Sequence, residues 1–316
     1  MDYRDILVKY GVFLGKRFTR KQKVRFLATL TQEFETLGYK TQAVADKEGR
    51  NQIVNLYVGD ILKADVIVQV NYDTPLSKIG IKPPYQPFDL KARSKENLFS
   101  QIVPMVLLAI IGMPLVYYAG NNVFNDKIFN FMDILFVAIF ALYFYVSYRI
   151  SKGIGNLHNM NRYSASILAA IHLADDLRPN QRKKVAFAFT DLGSINLEGS
   201  FLMRTHLKEE MDKKLVLILD CLGQGDTLKL QGFNVTENLL EKMKENYQGK
   251  YQMIFEHALA NSKQLATVYP KAIAIAVGEN ASDKFIVKDV GTKNDIEVDL
   301  EELKILVKAL NKAYLS

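Results

Sequence analysis

Two stretches almost free of charge interrupt a chain that is otherwise ordinary and soluble in character. Residues 98–120 (LFSQIVPMVLLAIIGMPLVYYAG) carry no charged side chain, and residues 128–148 (IFNFMDILFVAIFALYFYVSY) carry one, Asp133. As helices rising ~1.5 Å per residue, both are long enough to cross the ~30 Å hydrocarbon core of a bilayer. The seven residues between them, NNVFNDK, suit a tight turn between antiparallel helices. The pattern predicts a transmembrane hairpin over 97–149, set between two parts of one folded domain, 1–96 and 150–316. A buried core hairpin in a soluble protein is the competing reading, but two such runs are rare outside membranes.

Charge around the hairpin predicts its orientation. Lys91, Arg93 and Lys95 precede the first span, Arg149 and Lys152 follow the second, and Asp126 and Lys127 cancel in the turn. Positive charge marks the cytoplasmic side. Both termini and the folded domain are therefore expected inside the plasma membrane, with the turn outside. The first residues lack the continuous apolar core and small-residue cleavage site of a secretory signal. Cys221 is the single cysteine, so no disulfide forms within the chain. The net charge of +7 gathers in part at Lys16, Arg17, Arg20, Lys21, Lys23 and Arg25. No aromatic-plus-basic motif points to nucleic acid, and attraction to anionic lipid explains the excess more simply.

Outside the spans, the apolar pattern alternates between short β-type runs and helical periodicity. Helices are expected over 3–12, 20–38, 163–177, 197–213, 235–247 and 300–315. Strands are expected over 40–44, 51–58, 64–70, 184–189, 215–219 and 272–277. The alternation predicts a three-layer α/β sandwich with a mostly parallel central sheet. In such folds the site lies at the carboxyl ends of the strands. Three of those ends carry an aspartate: Asp73, Asp191 and Asp220.

The order of these segments resembles the zinc aminopeptidase family, which also includes glutaminyl cyclases, the transferrin-receptor ectodomain and nicastrin. FETLGYKTQ and EGRNQIVNLYVGD look like the family's opening helix and strand. VIVQVNYDTP resembles the strand before its His-x-Asp metal motif, and NMNRYSASILAAIHLA its aspartate turn and following helix. VAFAFTDLGSINLEGSFLM is similar to the strand and turn with the Glu-Glu pair. LVLILDCLGQGD and VGTKNDIEVDLEEL resemble the last two ligand segments. The resemblance covers the chain outside the hairpin. It implies that the family's first histidine falls on Asn71, its bridging aspartate on Asn161 or Arg162, its glutamates on Gly193 and Ser194, and its final histidine near Gly291. Only Asp220 and the non-ligand Asp73 keep the family's residue type.

Zinc needs deprotonated carboxylate and imidazole donors, and hydrolysis in this family needs a glutamate base. The substitutions therefore lead to the expectation of a degenerate member that is not an enzyme and carries no metal or other cofactor. Asn71, Asp73, Asn161, Arg162, Asp191, Gly193, Ser194, Asp220 and Gly291 are then the expected lining of a vestigial binding cleft. Its partner would be a peptide or a membrane protein, and its role that of an accessory or regulatory subunit of a membrane complex, in peptide handling or export. Two alternatives stay open: an active metal-dependent hydrolase or cyclase with a site rebuilt from Asp73, His158 and Asp220, and a purely structural assembly subunit. Asp133, an acid inside a span, is a candidate contact for a partner's membrane helix. Neither a G-x-S-x-G elbow, a phosphate loop nor a His-Glu-x-x-His helix is present.

Overall fold

Capping chemistry and apolar spacing set the first elements. Asp2 caps helix α1 (Tyr3–Leu7), which continues as a π turn through Phe13. Thr19 and Gln22 form a reciprocal capping box that starts α2 (Arg20–Thr36), and α2 buries Phe26, Leu27, Leu30 and Phe34 at helical spacing. Strands β1 (Thr41–Glu48), β2 (Asn51–Val58) and β3 (Val66–Asn71) follow, then the long helices α3 (Leu90–Asn122) and α4 (Phe131–Ser151). The remainder is α5 (Ala165–Asp176), β4 (Val185–Thr190), α6 (Glu198–Leu207), β5 (Leu215–Leu219), β6 (Thr227–Phe233), α7 (Glu237–Asn246), β7 (Gln252–His257), β8 (Ala272–Ala281), β9 (Lys284–Ile286) and α8 (Leu300–Leu310). The computed structural model describes residues 2–48, 51–78, 83–122, 131–151, 153–281 and 284–316.

The strands form one sheet in the order β1-β2-β4-β3-β5-β8-β6-β7, with β9 paired to β8. Its centre is parallel: β4, β3, β5 and β8 run the same way, while β1, β2 and β6 join antiparallel. Alternating residues feed two cores, as a sheet covered on both faces requires. Val68, Val70, Phe187, Phe189, Leu217 and Leu219 pack under α1, α2, α5, α7 and α8. Ile67, Ala186, Ala188, Val216 and Ile218 face α6 and the aromatic residues Tyr85 and Phe88. This is the three-layer α/β sandwich expected.

Both long helices are long and apolar enough to cross a membrane, and only 17% and 0% of their apolar windows are buried. Core helices of a soluble domain would be covered. They pack on each other where Gly112 lets Tyr143 approach; its hydroxyl donates to Leu108 O at 3.0 Å, and Tyr118 stacks on Phe136 at 4.8 Å. The connecting turn expected over 121–127 lies, from residue 123, outside the described residues.

Three differences from the sequence reading have physical causes. Helix α3 begins at Leu90, eight residues before the apolar run, because Asp89 caps it by accepting from the N–H groups of Lys91 and Ala92. Residues 91–95, expected only to precede the span, are thus part of its helix. The helix expected over 197–213 breaks at Lys208, which adopts a left-handed φ of 46°. Strands β6 and β7 were not foreseen: TLKLQGF and QMIFEH carry polar residues, and their pairing with β8 and with each other overrides weak local preference.

Candidate functional site

The parallel register sets Asn71 beside Thr190 and Val70 beside Leu219, so the carboxyl ends of β3, β4 and β5 lie together. The three aspartates just beyond are each engaged separately. Asp73 accepts from the Ser194 hydroxyl and from its backbone N–H at 3.2 Å. Asp191 pairs with Lys23 at 2.5 Å. Asp220 accepts from the Tyr85 hydroxyl at 2.8 Å and lies 3.7 Å from an Arg93 nitrogen. Burial raises the Asp191 pKa, opposed by Lys23.

Cations occupy the middle of the site. Arg162 lies with its guanidinium 4.1 Å from the Tyr85 ring centroid and donates to the Tyr85 hydroxyl at 3.1 Å. Its neighbour Asn161 points elsewhere, its carboxamide oxygen accepting from Gly223 N and Gln224 N at 2.8 and 3.2 Å. Arg162, not Asn161, therefore reaches the centre. Arg93 enters from α3 and donates to Gly193 O at 2.7 Å. Arg17 donates to the carbonyls of Tyr72, Tyr10 and Leu14. Lys78 pairs with Glu96 at 3.0 Å, although burial lowers its pKa. Asp295 accepts from Asn161 N at 2.7 Å, and burial raises its pKa to about 7.

The expected cleft residues are brought together but not exposed. Asn71, Asp73, Asn161, Arg162, Asp191, Ser194 and Asp220 are all 5% exposed or less, and Gly193 and Gly291 are buried. The strand ends are therefore not open to solvent: the first turns of α3 cover them. Arg93, Glu96 and Asn97 face inward at i, i+3 and i+4, and Asn97 donates to Ser194 O and Ile195 O, both at 2.8 Å. Asp133 is 4% exposed, so its carboxylate is covered rather than presented on the outer face where a partner helix would meet it. His158 is exposed and joins neither Asp73 nor Asp220.

Sequence reasoning missed Arg17, Lys78, Tyr85, Arg93, Glu96 and Asp295. The polar i, i+3, i+4 set just before an apolar run was the available signal for α3, and the T-x-x-D spacing Thr292–Asp295 was the signal for Asp295.

The residues present do not fit a zinc centre. The Asn71 carboxamide oxygen already accepts from Thr190 Oγ1 at 2.7 Å and Gln69 Nε2 at 2.9 Å. A Cβ at Gly193 would overlap the Asn71 carboxamide, so no larger ligand enters there without movement. Arg93 and Arg162 beside Asp220 would repel a dication. Among the described residues no three His, Cys, Asp or Glu side chains gather as a metal site, the set Asp73, His158 and Asp220 included.

Solved structures place this architecture in the class of zinc-aminopeptidase-like folds. Glutaminyl cyclase from Porphyromonas gingivalis matches with a TM-score of 0.60 at 10% identity, covering 99% of this chain and 97% of that one. Glutaminyl cyclase from Bacteroides thetaiotaomicron, bound to N-acetylhistamine, matches at 0.58 and 11%, covering 100% and 98%. A leucine aminopeptidase precursor from the same organism matches at 0.55 and 12%, covering 100% and 97%. No protein-family model and no curated protein matches the chain. The expectation of a non-enzyme is corrected by these neighbours, which are enzymes; at this identity they define the fold.

Proposed function

We propose that the chain is a membrane-anchored binding component of a membrane complex, with its hairpin as the surface that meets the partner. One observation carries the reading: α3 is a single helix of 33 residues that starts on the strand ends and runs on as an apolar span. Its first turns fill the region that an open cleft would offer to a peptide, through Arg93, Glu96 and Asn97. The apolar faces of α3 and α4 remain outside the domain, with Ile110, Met113, Tyr117, Leu142 and Phe144 between 60% and 75% exposed. Orientation follows the flanking charge, with the domain and termini on the cytoplasmic side of the plasma membrane.

The test exchanges residues 98–148 for an unrelated two-helix hairpin of equal length. Purified from membranes in mild detergent, the native chain should bring a membrane-protein partner in fixed stoichiometry, and the exchanged chain should come out alone. A native chain that purifies alone overturns the reading. So does a partner that stays with the exchanged hairpin, which would move the contact onto the domain.

A further inference from the structure

A second apolar surface lies beside the point where α4 rejoins the domain. Phe13 is 76% exposed, Val12 59%, Leu157 63% and Ile154 45%, although none belongs to a span. Their neighbours bring them together. The chain turns at once after α4, with Gly153 N donating to Ile150 O at 2.8 Å. Residues 153–156 then run along 75–77, where Ser77 N donates to Ile154 O at 2.7 Å and Asn156 N to Pro75 O at 2.9 Å. Phe18 lies against Gly153 and Gly155, and Met160 against Gly11, which holds the segment from Gly11 to Phe18 alongside this strip.

The polarity of the sheet puts this strip at the membrane end of the domain. α3 leaves for its span from the carboxyl ends of β3 and β4, through the Arg93 and Asn97 contacts. The first turn of α2 sits at the same end, since Lys23 reaches Asp191 just past β4. Arg20 and Lys21 on that turn are exposed and Lys16 partly so. Gly153 is only four residues beyond Arg149, within ~14 Å by chain length.

We infer that Val12, Phe13, Ile154 and Leu157, with Lys16, Arg20 and Lys21, form an interfacial foot that dips into an anionic lipid surface next to the hairpin. This rests on the reading of the hairpin as membrane-spanning. Aromatic and aliphatic side chains rimmed by basic ones are what the headgroup boundary of an anionic leaflet accepts.

The chain contains no tryptophan, so Phe13→Trp creates a single fluorescent reporter and Leu107→Trp a control in the span. Each full-length variant is placed in phosphatidylcholine–phosphatidylserine vesicles containing brominated lipids. The Phe13→Trp emission should shift to the blue and fall roughly twofold, most with bromines near the headgroup end of the chain, as an interfacial depth requires. Changing Lys16, Arg20 and Lys21 to Glu in that background should abolish the quenching, with the circular dichroism of the domain retained. Quenching of Leu107→Trp but not Phe13→Trp would overturn the foot and leave the hairpin reading intact. Quenching of neither would remove the hairpin reading itself. A reporter at position 13 shielded from both brominated lipid and aqueous iodide would mean that a second copy of the chain covers the patch, which also overturns the proposal. Quenching unchanged by the three Glu substitutions would overturn its anionic specificity.

Discussion

At the scale of residues, the site is a network of buried charge in which each carboxylate has a cation or hydroxyl nearby. Removing one member of a buried pair usually costs more than the pair contributes, because the survivor stays buried and alone. Asp295 accepts from the Asn161 backbone N–H. Its folded pKa of about 7 lies above the ordinary carboxylate value, with burial as the first cause. A group held protonated in the folded chain contributes stability that is complete below its unfolded pKa near 4 and is lost as pH rises through about 7. Asp295→Asn keeps an oxygen to accept from Asn161 N and removes the titration. Relative to that variant, the wild type should therefore lose stability between pH 4 and 7, by up to ~1.4 kcal/mol per pH unit, and level off above. Thermal melts of both chains across this range check it; parallel curves would show that Asp295 ionises alike in both states.

Elements divide into those whose own sequence dictates them and those that pairing imposes. The apolar β-branched runs of β3, β4 and β5 and the capped, periodic α2 and α8 were legible, because burial on both faces or on one stripe leaves a direct trace. β6 and β7 were not: β7 is the edge strand and has no fully buried residue, and Lys229, Gln231 and Gly232 interrupt the apolar run of β6. α3 was legible only as a span: the charges of its first turns were read as marking the cytoplasmic side, whereas Arg93 and Glu96 face the strand ends. Within the hairpin the close contact is Gly112 against Tyr143, where a Cβ would overlap the hydroxyl. Gly112→Leu should separate α3 from α4, costing ~1–3 kcal/mol as overpacked sites do. Cysteines at Tyr118 and Phe136, in a Cys221→Ser background, should cross-link readily in the otherwise native chain and poorly with Gly112→Leu. Equal yields would show that this contact does not hold the helices together.

For the whole molecule, the sheet-and-helix architecture and its likeness to glutaminyl cyclases and an aminopeptidase were visible as an ordered series of segments, even though identity to the solved structures is only 10–12%. The site was legible as a set of positions but not as a state. The resemblance pointed to Asn71, Asn161 or Arg162, Gly193, Ser194, Asp220 and Gly291; it did not choose between Asn161 and Arg162, and it did not reveal that the first turns of a long apolar helix cover the strand ends. The coupling of that helix to both the strand ends and the span is what makes the membrane reading central. Cysteine accessibility tests it most directly, using Asn122→Cys and Lys47→Cys chains that also carry Cys221→Ser. On intact cells a membrane-impermeant thiol reagent should label position 122 and not position 47, which should become reactive only after permeabilisation. Labelling of position 47 on intact cells, with position 122 protected until lysis, would contradict the account.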